Sequence, residues 1–171
     1  MKKISILLVS LIILTSGLEL KAQTAKANAA VNEVIFNYLK VKNALLADNN
    51  SSAQANAKSL YQAVGVVPAA ELTSEQRKLW ETYTGKLQND SKHISESAPL
   101  DQQRGYFVTL SQNLFQVLKM LKVNADPIYQ QFCPMKNATW LSESSDIKNP
   151  YYGTQMSSCG KVIQTLNPAT K

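Results

Sequence analysis

Two short segments of the chain each combine a thiol with a thioether. They are Cys133-Pro134-Met135 and Met156-Ser157-Ser158-Cys159. The spacing of three residues in the second segment would place Met156 and Cys159 on one side of a helical turn. Thiolate and thioether sulfurs are soft donors that favour Cu(I), whereas zinc accepts thiolates but rarely takes methionine. Cys133, Met135, Met156 and Cys159 are therefore the candidate metal ligands, with Cu(I) as the preferred ion and zinc as the less favoured one.

A further candidate donor is His93, the single histidine of the chain. It is a weaker candidate, because a lone histidine next to Lys92 is more often a surface polar residue than a ligand. A pair of Cys133 with His93 would also be the minimum for a thiol enzyme. No Cys-x-x-Cys motif or oxyanion-hole motif accompanies the pair, so the sequence predicts a protein that is not an enzyme.

The same two cysteines could instead form a disulfide. Closing a loop of this size would stabilise the fold by about 3–4 kcal/mol. A reduced pair could bind an ion that an oxidised pair could not, and two independent buried thiols are a further alternative. Met135 and Met156 could then simply fill the core. With a Cys133–Cys159 disulfide, we expect a protein-interaction module without metal.

The amino-terminal residues 1–22 have the pattern of a signal peptide. Lys2 and Lys3 precede a mainly apolar run from Ile4 to Thr15, and Ala22 is a plausible cleavage point. The run is too short for a comfortable membrane span, and no second apolar stretch follows it. The sequence therefore predicts a periplasmic or secreted protein, with no membrane span in the mature chain. Cysteines in such an oxidising compartment can pair.

Charge and composition exclude other classes of protein. The 171 residues are 44% hydrophobic and carry a formal net charge of +6, of which +4 remains when residues 1–22, with three lysines and one glutamate, are removed. The lysines and arginines are scattered and form no basic stripe with interleaved aromatic residues. Nucleic-acid binding is therefore not expected.

Four segments show the apolar spacing of amphipathic helices. The first covers about residues 28–47, and the second is alanine-rich. Thr73 and Gln76 form a capping box at the start of the third, and Pro99 suits the first turn of the fourth. The strongest apolar stripe belongs to the fourth helix: Phe107, Leu110, Leu114, Val117, Leu118 and Leu121. The predicted fold class is all-α, an antiparallel four-helix bundle over about residues 28–123.

The segment of about residues 124–165 has no sustained periodicity. We predict an irregular C-terminal cap that carries both cysteines, with one short helical turn near Thr154–Cys159, inside a single domain of residues 23–171. Trp140 is expected to pack the cap on the bundle. Asn149, Pro150 and Gly153 are expected to form a turn that directs Met156 and Cys159 back toward Cys133. Arg104 could tie the fourth helix to the cap.

The order of short motifs resembles a known family. These motifs are Tyr129-Gln130-Gln131-Phe132-Cys133-Pro134-Met135, Trp140-Leu141-Ser142, Ile147-Lys148-Asn149-Pro150-Tyr151-Tyr152-Gly153 and Met156-Ser157-Ser158-Cys159-Gly160, with His93-Ile94-Ser95-Glu96-Ser97 and Gln103-Arg104 upstream. The chain resembles the domain of unknown function 3347. The resemblance implies an exported helical domain, related to domains at the end of periplasmic adaptor subunits of copper and silver efflux pumps. The partners it implies are a metal ion and an efflux adaptor or other periplasmic protein.

The resulting hypothesis is a non-catalytic protein that binds a soft metal ion, Cu(I) before zinc, in metal homeostasis. The alternative is the interaction module with a structural disulfide.

Overall fold

The structure is a computed structural model that describes residues 25–168. Helix α1 covers residues 25–46, α2 covers Asn50–Gly65, α3 covers Ser74–Glu96 and α4 covers Leu100–Leu121. A short 3-10 helix, Ala69–Glu71, lies between α2 and α3. The four predicted helices are confirmed, while the predicted signal peptide, residues 1–22, lies outside the described residues. Within residues 25–168, no helix is long and apolar enough to cross a membrane.

Local chemistry at the helix ends explains where the helices begin and end. The Asn49 side chain accepts a hydrogen bond from the backbone N–H of Ser52 and caps α2. The predicted capping box at the start of α3 is present, because Thr73 and Gln76 each accept the other's backbone N–H. Helix α4 ends at Leu121, because the left-handed φ of 52° at the next residue, Lys122, breaks the helical backbone. Each of these signals is local in sequence.

Hydrogen bonds between helix ends fix the antiparallel arrangement. Asn32, near the start of α1, donates to the backbone oxygen of Val123 just after α4. At the opposite end, Arg104 of α4 donates to the backbone oxygen of Leu45 in α1. The Gln76 side chain likewise joins the start of α3 to the end of α4. The apolar stripes face a common core, whose largest buried side chains include Tyr38, Leu60, Leu87, Ile94 and Phe107.

The prediction of an irregular C-terminal cap, and with it a purely all-α fold, is wrong. The segment contains a three-stranded antiparallel sheet of β1 (Ile128–Cys133), β2 (Ala138–Ser142) and β3 (Lys161–Leu166), in the order β2-β1-β3. The alternation that reveals strands is broken in β1, because the consecutive Gln130 and Gln131 are both buried. The nitrogen of the buried Gln131 amide donates to the backbone oxygens of Ser144 and Asp146, while its carbonyl oxygen has no hydrogen-bond partner among the described residues.

The sheet packs on the helices through strand β2, which contacts α4. The hydroxyl of Tyr38 on α1 bonds both Ser111 of α4 and the backbone N–H of Leu141 in β2. Lys42 of α1 is buried and contacts the Glu143 carboxylate at 2.6 Å, one residue after β2. Burial lowers the pKa of Lys42, and the Glu143 carboxylate opposes that shift. The sheet is therefore fixed on the bundle by polar as well as apolar contacts.

Candidate metal centre

The structure brings the two cysteines together at one end of the sheet. Their sulfur atoms lie 4.0 Å apart, and both thiols are free. Cys133 is the last residue of β1 and is fully buried, whereas Cys159 precedes β3 and is partly exposed. Phe132 of β1 lies opposite Lys161 of β3. This pairing brings Cys133, which follows Phe132, close to Cys159, which lies two residues before Lys161. A disulfide bond is about 2.05 Å long, so the sulfurs are in contact without being bonded.

Gly160 and Asn149 hold Cys159 in this position. A side chain at Gly160 would place its Cβ only 2.8 Å from the Trp140 ring and 3.0 Å from the Phe132 backbone oxygen. Only glycine therefore fits where the chain turns into β3. The Asn149 side chain donates to the backbone oxygen of Cys159 at 2.7 Å, and its backbone N–H bonds the backbone oxygen of Ser157 at 2.7 Å.

Backbone N–H groups face both sulfur atoms. The N–H of Lys136 donates to the Cys133 sulfur at 3.4 Å, and the N–H of Met135 contacts the Cys159 sulfur. Desolvation raises the pKa of the Cys159 thiol, the neighbouring Cys133 thiol raises it further, and the Met135 N–H opposes both effects. A positive ion bound between the sulfurs would therefore favour loss of a proton from this pair.

The two candidate thioether ligands lie at the surface, in the segments that carry the two cysteines. Met135 is 61% exposed and Met156 is 39% exposed, so neither is core filler. The helical turn predicted near Thr154–Cys159 is instead a 3-10 helix over Gly153–Gln155 that ends before Met156. The helical spacing therefore does not set the relation of Met156 to Cys159.

His93 is not brought to the cysteines. Its ring lies on α3 and stacks on the Tyr106 ring of α4, with centroids 4.5 Å apart and planes 8° apart. In the part of the chain that the structure describes, no three histidine, cysteine, aspartate or glutamate side chains lie close enough to hold an ion. A metal held by both cysteines would need its further ligand from a thioether, the backbone or water.

Trp140, predicted to pack the C-terminal segment on the bundle, and the residues predicted to form the turn make the following contacts. Trp140 is fully buried, and its ring packs edge-on against Tyr151, with centroids 6.0 Å apart. The backbone oxygen of Pro150 accepts a hydrogen bond from Arg104 at 2.8 Å. This bond confirms the predicted tie between α4 and the C-terminal segment. Gly153 has a φ of +57°, and a Cβ there would lie 2.0 Å from the Asp48 carboxylate.

Asp48 was not singled out from the sequence, yet it anchors the turn. Its carboxylate accepts hydrogen bonds from Arg104 and from the backbone N–H and hydroxyl of Thr154, at 2.9 and 2.6 Å. These bonds, those from Thr154 first, lower the pKa of Asp48 to about 2. The sequence signal was the Asp48-Asn49-Asn50 turn, which indicated a helix end but not a partner about a hundred residues away.

The separation of the sulfurs sets what the pair can do chemically. With metal–sulfur bonds of about 2.3 Å, an ion between sulfurs 4.0 Å apart would subtend an angle of about 120°. That angle suits a trigonal ion with one further ligand. Two thiolates and one thioether would give a set of soft donors. The geometry therefore fits a soft ion without movement of the two sulfurs.

Comparison with known sequences places the helices in a family. The profile of the family described as "Protein of unknown function (DUF3347)" matches residues 34–126. The match runs from α1 to the segment before β1, so it includes His93 and Arg104 but neither cysteine. No curated protein matches the chain. No solved structure matches it either.

Proposed function

Because the chain belongs to the DUF3347 family, whose function is unknown, we propose a function from its thiol pair: it binds one Cu(I) ion through Cys133 and Cys159. The observation that supports this proposal is the 4.0 Å separation of two free sulfurs. Met135 or Met156 supplies the third ligand, since both thioethers lie at the surface in the segments that carry the thiols. The protein is non-catalytic, and its role is to store or deliver copper outside the cytoplasm.

Charge and solvation favour a monovalent soft ion. Two thiolates with one Cu(I) ion carry a single net negative charge, which the N–H groups of Met135 and Lys136 can stabilise. Cys133 is fully buried, so the ion is desolvated on one side, where a strongly hydrated ion would be disfavoured. Zinc takes four ligands in structural sites, and the described residues offer no third histidine, cysteine or carboxylate.

The second candidate function is the interaction module with a Cys133–Cys159 disulfide. It is favoured by the same pair of thiols, because a movement of about 2 Å would bring the sulfurs to bonding distance. In this function the protein holds no metal, and a helical face or the sheet contacts an efflux adaptor or another periplasmic protein.

The deciding experiment begins with the oxidation state of protein isolated from the periplasm, by thiol alkylation and mass measurement. Reduced protein is then titrated with Cu(I) against a competing Cu(I) chelator. We expect one ion per chain, with affinity lowered at least about tenfold in Cys133→Ser and in Cys159→Ser. His93→Gln is the matched control, because His93 lies away from the thiols, and it should bind as the wild type does.

Two further results discriminate between the functions. Met135→Leu and Met156→Leu, tested singly and together, identify the third ligand, and unchanged affinity in the double variant removes the thioethers from the site. A pair that is fully oxidised in the isolated protein, and that stays oxidised in mild reductant, contradicts copper binding and supports the disulfide function. Circular dichroism of each variant shows whether the fold is kept.

A further inference from the structure

Helix α1 exposes one narrow row of side chains to solvent. Beyond its first turn, the exposed residues of α1 are Ala29, Glu33, Phe36, Lys40 and Asn43. They recur at intervals of four and three residues, so they lie in one row along the helix. Phe36, at the centre of the row, is 50% exposed and is the most exposed aromatic side chain among the described residues. This row, the α1 stripe, therefore has an apolar centre between an acidic and a basic residue.

A small apolar pocket opens beside Phe36. Its volume is about 200 Å³, and its walls include Ile35, Phe36 and Leu39 of α1 together with Pro127 and Ile128. Pockets that enclose a drug-sized ligand measure about 300–1,000 Å³. The pocket is therefore suited to one large apolar side chain from a docking protein rather than to a small molecule.

The amino-terminal end of the α1 stripe is acidic. Glu33 is exposed there, and the Asn37 side chain donates to one of its carboxylate oxygens at 2.8 Å. Asp126 is exposed in the segment that lines the pocket. The Asn32 side chain accepts the backbone N–H of Ala125 at 2.8 Å, so Asp126 is held next to the turn of α1 that carries Glu33. Neither carboxylate belongs to any of the four ion pairs within residues 25–168.

The carboxyl-terminal end of the α1 stripe is basic. Lys40 is exposed about two helical turns after Glu33. Its ammonium nitrogen lies 4.2 Å from the centroid of the Phe36 ring, and it takes part in none of those four ion pairs. Glu143, the other carboxylate that lines the pocket, already contacts Lys42 at 2.6 Å. The order along the stripe is therefore acid, aromatic ring, base.

We propose that the α1 stripe binds a second copy of this chain, with the two α1 helices antiparallel about a two-fold axis at Phe36. A surface that pairs with its own copy must be self-complementary. The antiparallel arrangement places Lys40 of each copy opposite Glu33 and Asp126 of the other, and it brings each Phe36 ring to the pocket of the other copy. Parallel helices would instead place Lys40 against Lys40.

The dimer should be weak. The α1 stripe contributes five exposed residues from each copy, whereas a standard protein interface has about 20–30 residues a side. We therefore expect a dissociation constant in the micromolar range. Sedimentation velocity of the chain without residues 1–22 measures it at protein concentrations of about 1–500 μM. A reductant is present, so that no disulfide links two copies.

Charge reversal tests the antiparallel arrangement. Glu33→Lys and Lys40→Glu should each raise the dissociation constant at least about tenfold, because each turns attraction across the axis into repulsion. An equimolar mixture of the two variants should dimerise more tightly than either variant alone, since a basic stripe then meets an acidic one. The matched controls, Lys58→Glu on α2 and Glu81→Lys on α3, change exposed positions elsewhere and should dimerise as the wild type does.

A second pair of variants tests the apolar centre. Phe36→Ser should abolish dimerisation, while Tyr61→Ser, which removes a 40% exposed aromatic ring from α2, should leave it unchanged. Circular dichroism shows that each variant is folded. A wild-type protein that is monomeric at every concentration would overturn the dimer. Equal effects of the stripe variants and their controls, or a mixture that associates no better than its components, would overturn the α1 interface. Copper binding is measured separately and is not affected by either result.

Discussion

The hydroxyl oxygen of Tyr38 lies 3.0 Å from the backbone nitrogen of Leu141 and accepts its hydrogen bond. Tyr38 belongs to α1 and Leu141 to β2, an outer strand of the sheet. The same hydroxyl lies 2.7 Å from the Ser111 hydroxyl on α4. Burial raises the pKa of Tyr38 well above its usual range, so its hydroxyl stays protonated at neutral pH. One side chain thus joins two helices to the strand that borders β1.

We expect Tyr38→Phe to destabilise the protein by about 1–3 kcal/mol, because it leaves the buried N–H of Leu141 without an acceptor. Urea unfolding followed by circular dichroism measures the change. Tyr61→Phe is the control, since Tyr61 is 40% exposed, and its stability should match that of the wild type. Equal stability of Tyr38→Phe and Tyr61→Phe would show that the hydroxyl of Tyr38 does not hold the sheet on the bundle.

Asp48 makes the stability depend on pH in the acid range. Its pKa falls from 3.8 to about 2 in the folded protein, so the folded state binds this proton less tightly than the unfolded chain does. The stabilisation is fully present above the pKa of Asp48 in the unfolded chain. It is lost as the pH falls through the pKa of Asp48 in the folded protein. Asp48→Asn should therefore be less stable than the wild type at pH 7, with a difference that narrows below about pH 4.

Unfolding curves of both proteins between neutral pH and about pH 2 measure this difference. Asp101→Asn is a suitable control, because Asp101 is exposed near the start of α4 and makes none of the ion pairs found within residues 25–168. If the difference in unfolding free energy between Asp48→Asn and the wild type stays constant with pH, the Asp48 carboxylate does not stabilise the fold through its charge.

Gly153 cannot be replaced without displacing Asp48. Its φ of +57° is unfavourable for a residue with a side chain, and a Cβ there would lie 2.0 Å from the Asp48 carboxylate and 2.6 Å from the Arg104 guanidinium. We expect Gly153→Ala to cost about 2–4 kcal/mol in unfolding free energy. Gly105→Ala on α4, where a Cβ meets no atom within 4 Å, should instead stabilise the protein by about 0.5–1 kcal/mol. Equal effects of the two alanines would refute the close contact at Gly153.

The thiols should differ in reactivity. In reduced, metal-free protein, iodoacetamide should modify the partly exposed Cys159 first, while Cys133 reacts only as the protein unfolds. Because the pKa of Cys159 is raised, its alkylation rate should keep rising beyond about pH 8.5, the usual value for a free thiol. Mass spectrometry of digested protein, sampled over time, resolves the two sites. Faster modification of Cys133 would contradict the described access to the pair.

The helices were predictable because their signals are local. Successive residues of each apolar stripe are about one helical turn apart, and the Thr73–Gln76 capping box lies within four residues. The same reasoning missed the sheet, because the buried Gln130 and Gln131 interrupt the alternation of β1. The Gln131 amide donates to backbone oxygens farther along the chain, which its sequence neighbours do not reveal. The residues of β3 are mostly exposed on both faces, so they show no alternation at all. Their content of Val162, Ile163 and Thr165, which are β-branched, was the available signal.

The candidate site was predictable in composition but not in geometry. Sequence spacing identified the sulfur residues, yet the contact between Cys133 and Cys159 depends on the pairing of β1 with β3, which spans a long stretch of chain. His93 was named for its chemistry, and its ring stacks on Tyr106 instead.

The position of β3 in the chain also determines when the two thiols can meet. Within residues 25–168, the helices and the other two strands precede Cys159, so a growing chain holds Cys133 alone until the segment just before β3 is made. Chemistry that needs both sulfurs is thereby withheld until β3 has paired with β1. Proteolytic removal of β3 would leave Cys133 and Cys159 as two separate thiols.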